Sequence, residues 1–113
     1  MEQRTHKIVL VRSAPGEALD AMNLARLLQS HGVQLTFVLI QDAVLCALTD
    51  STLPAAQDLR ALLAEGASCC YLLPDLAMRG FGPLDAAAGC EPLSYEGIVD
   101  VLMTDGAAVT GAY

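Results

Sequence analysis

Short apolar runs of strand length alternate with segments of helical periodicity along the chain, and this alternation restricts the possible folds more than any other feature. Lys7 to Val11 (KIVLV) is a continuous, largely β-branched run, which is typical of a strand covered on both faces of a parallel sheet. Val33 to Ile40 and Cys69 to Leu73 predict the next two strands. We therefore expect an α/β fold with an open, mostly parallel sheet and helices on both faces.

Two shorter segments complete a predicted sheet of five strands. Cys90 to Leu93 is the fourth candidate, and Pro92 confines it to an edge or to a strand end, because proline has no N–H for the ladder. Ala107 to Thr110 is the fifth. Pro83 to Gly89 is either a loop or a weak helix, and the pattern does not decide between the two.

The helical segments carry apolar residues at i, i+3, i+4 and i+7, which predicts one buried face on each helix. The expected inward residues are Ala21, Leu24, Ala25 and Leu28 in the first helix, Leu59, Leu62 and Leu63 in the third, and Tyr95, Ile98, Val99 and Leu102 in the last. A short second helix is expected over Ala43 to Leu48. The length of 113 residues predicts a single domain over residues 1–113 with one core.

The composition limits the class of partner. Hydrophobic residues make up 54% of the chain and charged residues 17%, which predicts that part of the apolar surface lies in an oligomer interface. The formal charge of −7 repels phosphate backbones, so direct nucleic-acid binding is not expected. No apolar run reaches the roughly 20 residues needed to cross a bilayer, and the N-terminus has no signal-peptide core, so we expect no membrane partner and a cytoplasmic protein.

The usual catalytic and cofactor motifs do not occur. The sequence has no nucleophile elbow, no P-loop and no dinucleotide fingerprint, and the cysteines show no metal-ligand spacing, so neither a cofactor nor a metal site is expected. We expect Cys69 or Cys70 to be buried, at the sheet end opposite the ligand side. Only Cys90 is expected to be exposed, and the carboxylate of Glu91 beside it should raise its pKa.

Polar residues follow the predicted strands at their carboxyl ends, the edge of a parallel sheet where ligands bind. These candidate rim or interface residues are Arg12, Ser13, Gln41, Asp42, Asp75, Arg79 and Tyr95. Asp42 and Asp75 each begin a helical segment, so capping is the favoured interpretation and an acid–base pair the alternative. Arg79 would pair with Asp75 or meet an anionic partner. No residue is singled out as catalytic.

Three segments resemble a known superfamily. They are Val38 to Leu48 (VLIQDAVLCAL), Tyr71 to Phe81 (YLLPDLAMRGF) and Leu93 to Tyr113 (LSYEGIVDVLMTDGAAVTGAY). Together they are similar to the DsrE/DsrF/DsrH superfamily of sulfur-relay proteins, and most closely to its DsrH/TusB branch. Ala43 departs from that branch, which usually has glycine there.

The resemblance implies a flavodoxin-like α/β subunit in a hetero-oligomer with DsrE-like and DsrF-like chains, or in a homotrimer or homohexamer. Such assemblies pass persulfide sulfur to an acceptor protein, for tRNA thiolation or sulfur oxidation. The persulfide cysteine of DsrE-type chains lies at the turn after strand three, where this sequence has Leu73, Pro74 and Asp75.

This departure favours an accessory, non-catalytic subunit of a DsrEFH/TusBCD-type relay over a sulfurtransferase. Two alternatives stay open. One is a sulfurtransferase that carries persulfide on Cys90 or Cys70, and the other is a module that binds a small molecule at the rim.

Overall fold

The structure is a computed structural model that describes residues 6–12, 18–103 and 107–110. Five parallel strands form one sheet in the order β4-β3-β2-β1-β5. The strands are β1 (His6–Val11), β2 (Gln34–Leu39), β3 (Ser68–Leu72), β4 (Cys90–Leu93) and β5 (Ala107–Thr110). The predicted parallel α/β class is thereby confirmed.

Four α-helices and two 3-10 helices connect the described strands. The α-helices are α1 (Ala18–Ser30), α2 (Pro54–Ala64), α3 (Leu73–Met78) and α4 (Tyr95–Leu102). The 3-10 helices span Gln41–Ala47, where a short second helix is predicted, and Pro83–Asp85, within the segment that the sequence leaves undecided.

The two faces of the sheet are covered unequally. The larger core packs α1, α2, α3 and the first 3-10 helix against side chains such as Val9, Phe37 and Tyr71. On the opposite face, Ile98 of α4 packs against Ile8, Val38, Cys70 and Leu72 in a much smaller cluster. Among the described side chains, α4 is the helix that covers this second face.

The strand order places β2 at the middle of the sheet and β3 beside it, between β2 and the edge strand β4. Flavodoxin-type sheets have the order 2-1-3-4-5, so this sheet shares their parallel layered architecture but not their strand order. β4 pairs with β3 alone and forms an edge, as the proline at position 92 predicts. The carboxyl ends of β2 and β3 therefore present their following residues to each other.

Two helices present faces that differ from the expected ones. On α4 the buried residue is Ile98, whereas Tyr95 and Val99 are exposed. On α1, Ala25 is buried as expected, but Met22 is buried as well and Leu24 is exposed. Helical periodicity locates a stripe, but the angle at which the helix docks on the sheet decides which edge of the stripe is covered.

The hydroxyl of Tyr71 is buried without a hydrogen-bond partner among the described residues. A buried polar group without a partner costs about 1–3 kcal/mol of desolvation. We expect Tyr71→Phe to raise the free energy of unfolding by about 1 kcal/mol, measured by urea denaturation. A loss of stability would show that the hydroxyl has a partner, such as a bound water molecule.

Candidate functional site

Four of the predicted rim residues form one cluster where β2 and β3 end. Gln41 and Asp42 open the 3-10 helix that follows β2, and Asp75 and Arg79 lie in and just after α3, which follows β3 directly. Because the two strands are neighbours, residues 34 to 37 positions apart in sequence come into contact. We call Gln41, Asp42, Asp75 and Arg79 the rim cluster.

The carboxylate of Asp75 accepts a hydrogen bond from the backbone N–H of Gln41, with Oδ2 2.6 Å from the nitrogen. Gln41 has a φ of 52°, a left-handed conformation that is unfavourable for a residue with a Cβ. The predicted capping role for Asp75 is therefore wrong. The N-cap of α3 is Leu72, which makes no side-chain cap, and Asp75 instead holds the strained turn after β2.

Arg79 contacts rim-cluster residues of both segments, the one after β2 and the one after β3. Its guanidinium contacts Asp42 Oδ1 through Nη2 at 2.7 Å and Nε at 3.1 Å, and Nη1 donates to the backbone carbonyl of Asp75 at 2.8 Å. The ion-pair partner is thus Asp42, not the Asp75 carboxylate that the sequence suggested. Asp42 does not cap its own helix, because the N-cap there is Ile40 without a side-chain bond.

The other rim candidates lie outside the rim cluster. Arg12 is exposed at the end of β1, which is tied to the β2 end by a bond from Ile40 N to Val11 O at 2.9 Å. Tyr95 is exposed at the start of α4, beyond the edge strand β4. Ser13 lies outside the described residues.

We expect Asp75→Ala to lower the free energy of unfolding by about 1–2 kcal/mol, because it removes a charge-assisted hydrogen bond and leaves Gln41 strained. Urea denaturation measures the loss. Asp75→Asn is the matched control, since its side-chain oxygen can still accept the Gln41 N–H. Adding Gln41→Gly to Asp75→Ala should recover part of the loss, because glycine tolerates positive φ. Equal losses with and without the glycine would contradict this role for Asp75.

All four cysteines are free and buried. Cys46, Cys69 and Cys90 belong to the larger core, and Cys70 belongs to the cluster beneath α4. The expected exposure of Cys90 is therefore wrong: it lies on an edge strand, but its side chain points into the core.

The pKa values of the thiols follow from burial and from their neighbours. Burial raises the pKa of Cys46 and of Cys70 to about 11. Interaction between the Cys69 and Cys90 thiols raises the pKa of Cys69 and lowers that of Cys90. Burial opposes the lowering at Cys90, and the positive charge of Arg60 adds to it.

Glu91 does not have the predicted effect on Cys90. Successive residues of a strand point to opposite faces, so Glu91 shares a face with Cys70, and its charge raises the pKa of Cys70 instead. The influence of Arg60, thirty positions before Cys90, has no signal in the local sequence.

The bend that leaves β3 has no thiol. β3 ends at Leu72, and Leu73, Pro74 and Asp75 form the first turn of α3, where proline fits because no N–H is needed. Cys69 lies near the opposite end of this strand, as predicted, whereas Cys70 is its middle residue. Both thiols are buried, and the sequence predicts burial of at least one of them.

A pocket of about 500 Å³ lies beside the rim cluster. Its apolar walls come from the end of the first 3-10 helix, the loop after it and the segment after Arg79; they are Leu45, Leu48, Leu53, Phe81 and Leu84. Asp50 and Asp85 lie on its border, and none of the rim cluster lines it. This pocket is suited to an apolar group and contains no convergent catalytic side chains.

The described part of the chain has neither a metal-binding cluster nor a helix that could cross a membrane. No group of three or more His, Cys, Asp or Glu side chains there is arranged to hold a metal ion. In the same residues, no helix has the length and apolar character needed to span a membrane.

The strand order, the rim cluster and the buried thiols define an α/β protein in which Asp75, hydrogen-bonded to the Gln41 N–H, lies in the turn after β3 and no thiol does. The family model described as "DsrH like protein" matches residues 18–107, so the chain belongs to the DsrH-like family. A comparison with curated proteins gave no match.

Two solved structures share the fold. A protein of unknown function from Methanobacterium thermoautotrophicum, MTH1491, has a TM-score of 0.77 at 19% identity, over 96% of this chain and 98% of that chain. The ychN protein from E. coli has a TM-score of 0.76 at 22% identity, over 93% of this chain and 99% of that chain. At these identities the likeness concerns the fold alone.

Proposed function

We propose that this protein is an accessory, non-catalytic subunit of a sulfur-relay assembly of the DsrEFH/TusBCD type. Membership of the DsrH-like family supports the relay. The observation that carries the accessory role is the Leu73-Pro74-Asp75 turn, because relatives that transfer sulfur keep their cysteine at that position. The chain would contribute contacts to the assembly, and a DsrE-like chain would supply the thiol.

The contact surface is best placed on α4. Tyr95, Val99 and Met103 follow one another at i, i+4 and i+8, so they lie on one side of the helix, and all three are exposed. An exposed apolar stripe on the sparsely covered face of the sheet is typical of a subunit contact. We call these three residues the α4 stripe and assign it to the interface with a DsrE-like or DsrF-like chain, or with a second copy of this chain.

The rim cluster serves as a rigid polar border rather than an acid–base pair. Asp75 is occupied by the Gln41 N–H, and Asp42 is occupied by Arg79. A carboxylate whose oxygen already accepts a charged or backbone donor is a poor general base. The rim cluster therefore fixes the shape of the turn that a sulfur-acceptor protein or a neighbouring subunit would meet.

The two alternative functions have weaker support. Persulfide transfer on Cys70 is disfavoured by its burial beneath α4 and by its raised pKa, since the thiolate is the nucleophile. Cys90 has a lowered pKa, but its side chain is buried, which keeps it from the persulfide cysteine of a donor protein, a far bulkier reactant than a small molecule. A small molecule would find its space in the 500 Å³ pocket beside the rim, and a ligand that co-purifies with the protein would favour this alternative.

Native mass spectrometry tests the proposal, with the chain alone and mixed with DsrE-like and DsrF-like chains encoded in the same genome. We expect a stable hetero-oligomer, or a homotrimer or homohexamer of this chain alone. The cytoplasmic location and the single-domain organisation are part of the same proposal. A monomer that stays monomeric with every candidate chain at micromolar concentration would contradict it.

A further inference from the structure

Cys69 and Cys90 face each other across neighbouring strands. They are a register pair of the parallel β3–β4 ladder, so their side chains point to the same face, and both belong to the larger core. Adjacent strands lie about 4.8 Å apart, within the roughly 4.4–6.8 Å that a disulfide requires between Cα atoms. The two thiols are close enough that each shifts the pKa of the other.

The surroundings of Cys90 favour its thiolate. The neighbouring Cys69 thiol and the positive charge of Arg60 both lower the pKa of Cys90, and together they outweigh burial, which raises it. The Arg60 guanidinium is held in one position, because Nη2 donates to the carbonyl oxygens of Leu48, Thr49 and Ser51 at 2.9, 2.8 and 2.9 Å.

The segment that leads into Cys90 lines a cavity that is open to solvent, although Cys90 itself does not line it. The residue is 9% exposed, lies on the edge strand, and directly follows Ala87, Ala88 and Gly89. These three residues and Arg60 line a cavity of about 380 Å³ that is open to solvent. Cys69 lies one strand further in and is 4% exposed.

We propose that Cys69 and Cys90 form an oxidisable dithiol that reacts with small hydroperoxides, with Cys90 as the attacking thiol and Cys69 as the resolving thiol. The Cys90 sulfur attacks the terminal peroxide oxygen, the O–O bond breaks, and Cys90 becomes a sulfenic acid. The alkoxide leaves as an alcohol with the proton that Cys90 gave up. The Cys69 sulfur then attacks the Cys90 sulfur, and hydroxide leaves as water with the Cys69 proton.

In the net reaction, two thiols lose two electrons and become one disulfide, and the peroxide is reduced to an alcohol and water. This chemistry is separate from the sulfur relay, because it needs neither a sulfur donor nor a partner chain. The product would join the edge strand β4 covalently to β3. Residues 69–90 would then form a covalent loop that contains Asp75 and Arg79 of the rim cluster.

Oxidation of the intact protein with dilute hydrogen peroxide, followed by alkylation under denaturing conditions and intact-mass measurement, tests the dithiol. The reduced chain should take up four alkyl groups, one for each cysteine. The oxidised chain should take up two fewer, weigh about 2 Da less before alkylation, and recover all four sites with dithiothreitol. Peptide mapping of the wild-type chain should show Cys69 joined to Cys90, and this readout requires no variant.

Cys70→Ser is the matched control, because Cys70 adjoins Cys69 on the same strand but belongs to the other core. This variant should oxidise like the wild type, whereas Cys90→Ser and Cys69→Ser should not form the intramolecular disulfide. The proposal is overturned if all four thiols of the wild type stay alkylatable, if the bond joins another pair or two chains, or if Cys90 proceeds to an irreversible sulfinic acid.

Discussion

Leu76→Ala is expected to lower the free energy of unfolding by about 2–5 kcal/mol. Leu76 is fully buried and is the one residue of α3 that belongs to the buried part of the larger core. Its loss would leave a cavity beneath a helix of only six residues, too short to be stable without packing. Because α3 carries Asp75 and is followed by Arg79, the same change should weaken the rim cluster.

Urea denaturation followed by circular dichroism measures this loss. Met78→Ala on the same helix is the matched control, since Met78 is exposed and its truncation should change stability by no more than about 0.5 kcal/mol. Leu76→Ala and Met78→Ala with equal effects would show that α3 is not held to the sheet by Leu76.

Val99→Asp is expected to weaken the assembly by about 30-fold or more. Val99 is central in the α4 stripe and 55% exposed in the single chain, so a carboxylate there costs the free protein little. In a packed interface the same charge would be buried without a partner, and central interface positions typically lose 2 kcal/mol or more. The prediction rests on the proposed role of the α4 stripe.

Sedimentation or native mass spectrometry over a dilution series measures the effect. Leu27→Asp is the matched control, because Leu27 is 57% exposed on α1 and lies on the opposite layer of the sheet. Both variants should keep the wild-type circular dichroism spectrum. An unchanged oligomer in Val99→Asp would exclude the α4 stripe as the interface, and an equal loss in Leu27→Asp would show that the effect is not specific to it.

The local elements of this fold could be predicted from the sequence because each has a local cause. KIVLV at Lys7 to Val11 gives a strand whatever its neighbours are, and Pro92 limits β4 to an edge because its missing N–H is a property of the residue itself. The absence of a cysteine from the turn after β3 can likewise be read directly from the sequence.

The contacts within the site depend on which strands are neighbours, and the sequence does not specify that. The Gln41–Asp75 bond and the Asp42–Arg79 ion pair each join residues more than thirty positions apart. A carboxylate near a helix start looks like a cap in the sequence, and only the β2–β3 adjacency shows that Asp75 has another donor.

The electrostatic environment of the thiols also depends on contacts that the sequence does not specify. Glu91 is next to Cys90 in the sequence but on the other face of the sheet, whereas Cys69 is twenty-one positions away and is the register partner of Cys90 on β3. Register and side-chain alternation therefore decide the electrostatics of Cys90, and both are properties of the folded sheet.

The role proposed for this chain is to support a sulfur relay without carrying sulfur itself, and persulfide loading tests that role. The chain is incubated with a sulfur donor, alkylated without reduction and analysed by peptide mass spectrometry. Cys69→Ser is measured in parallel, because Cys69 could discharge a persulfide on Cys90 as sulfide. We expect no reducible adduct of about 32 Da on any cysteine in either chain. Such an adduct on Cys90 or Cys70 would contradict the accessory role and make the protein a sulfurtransferase.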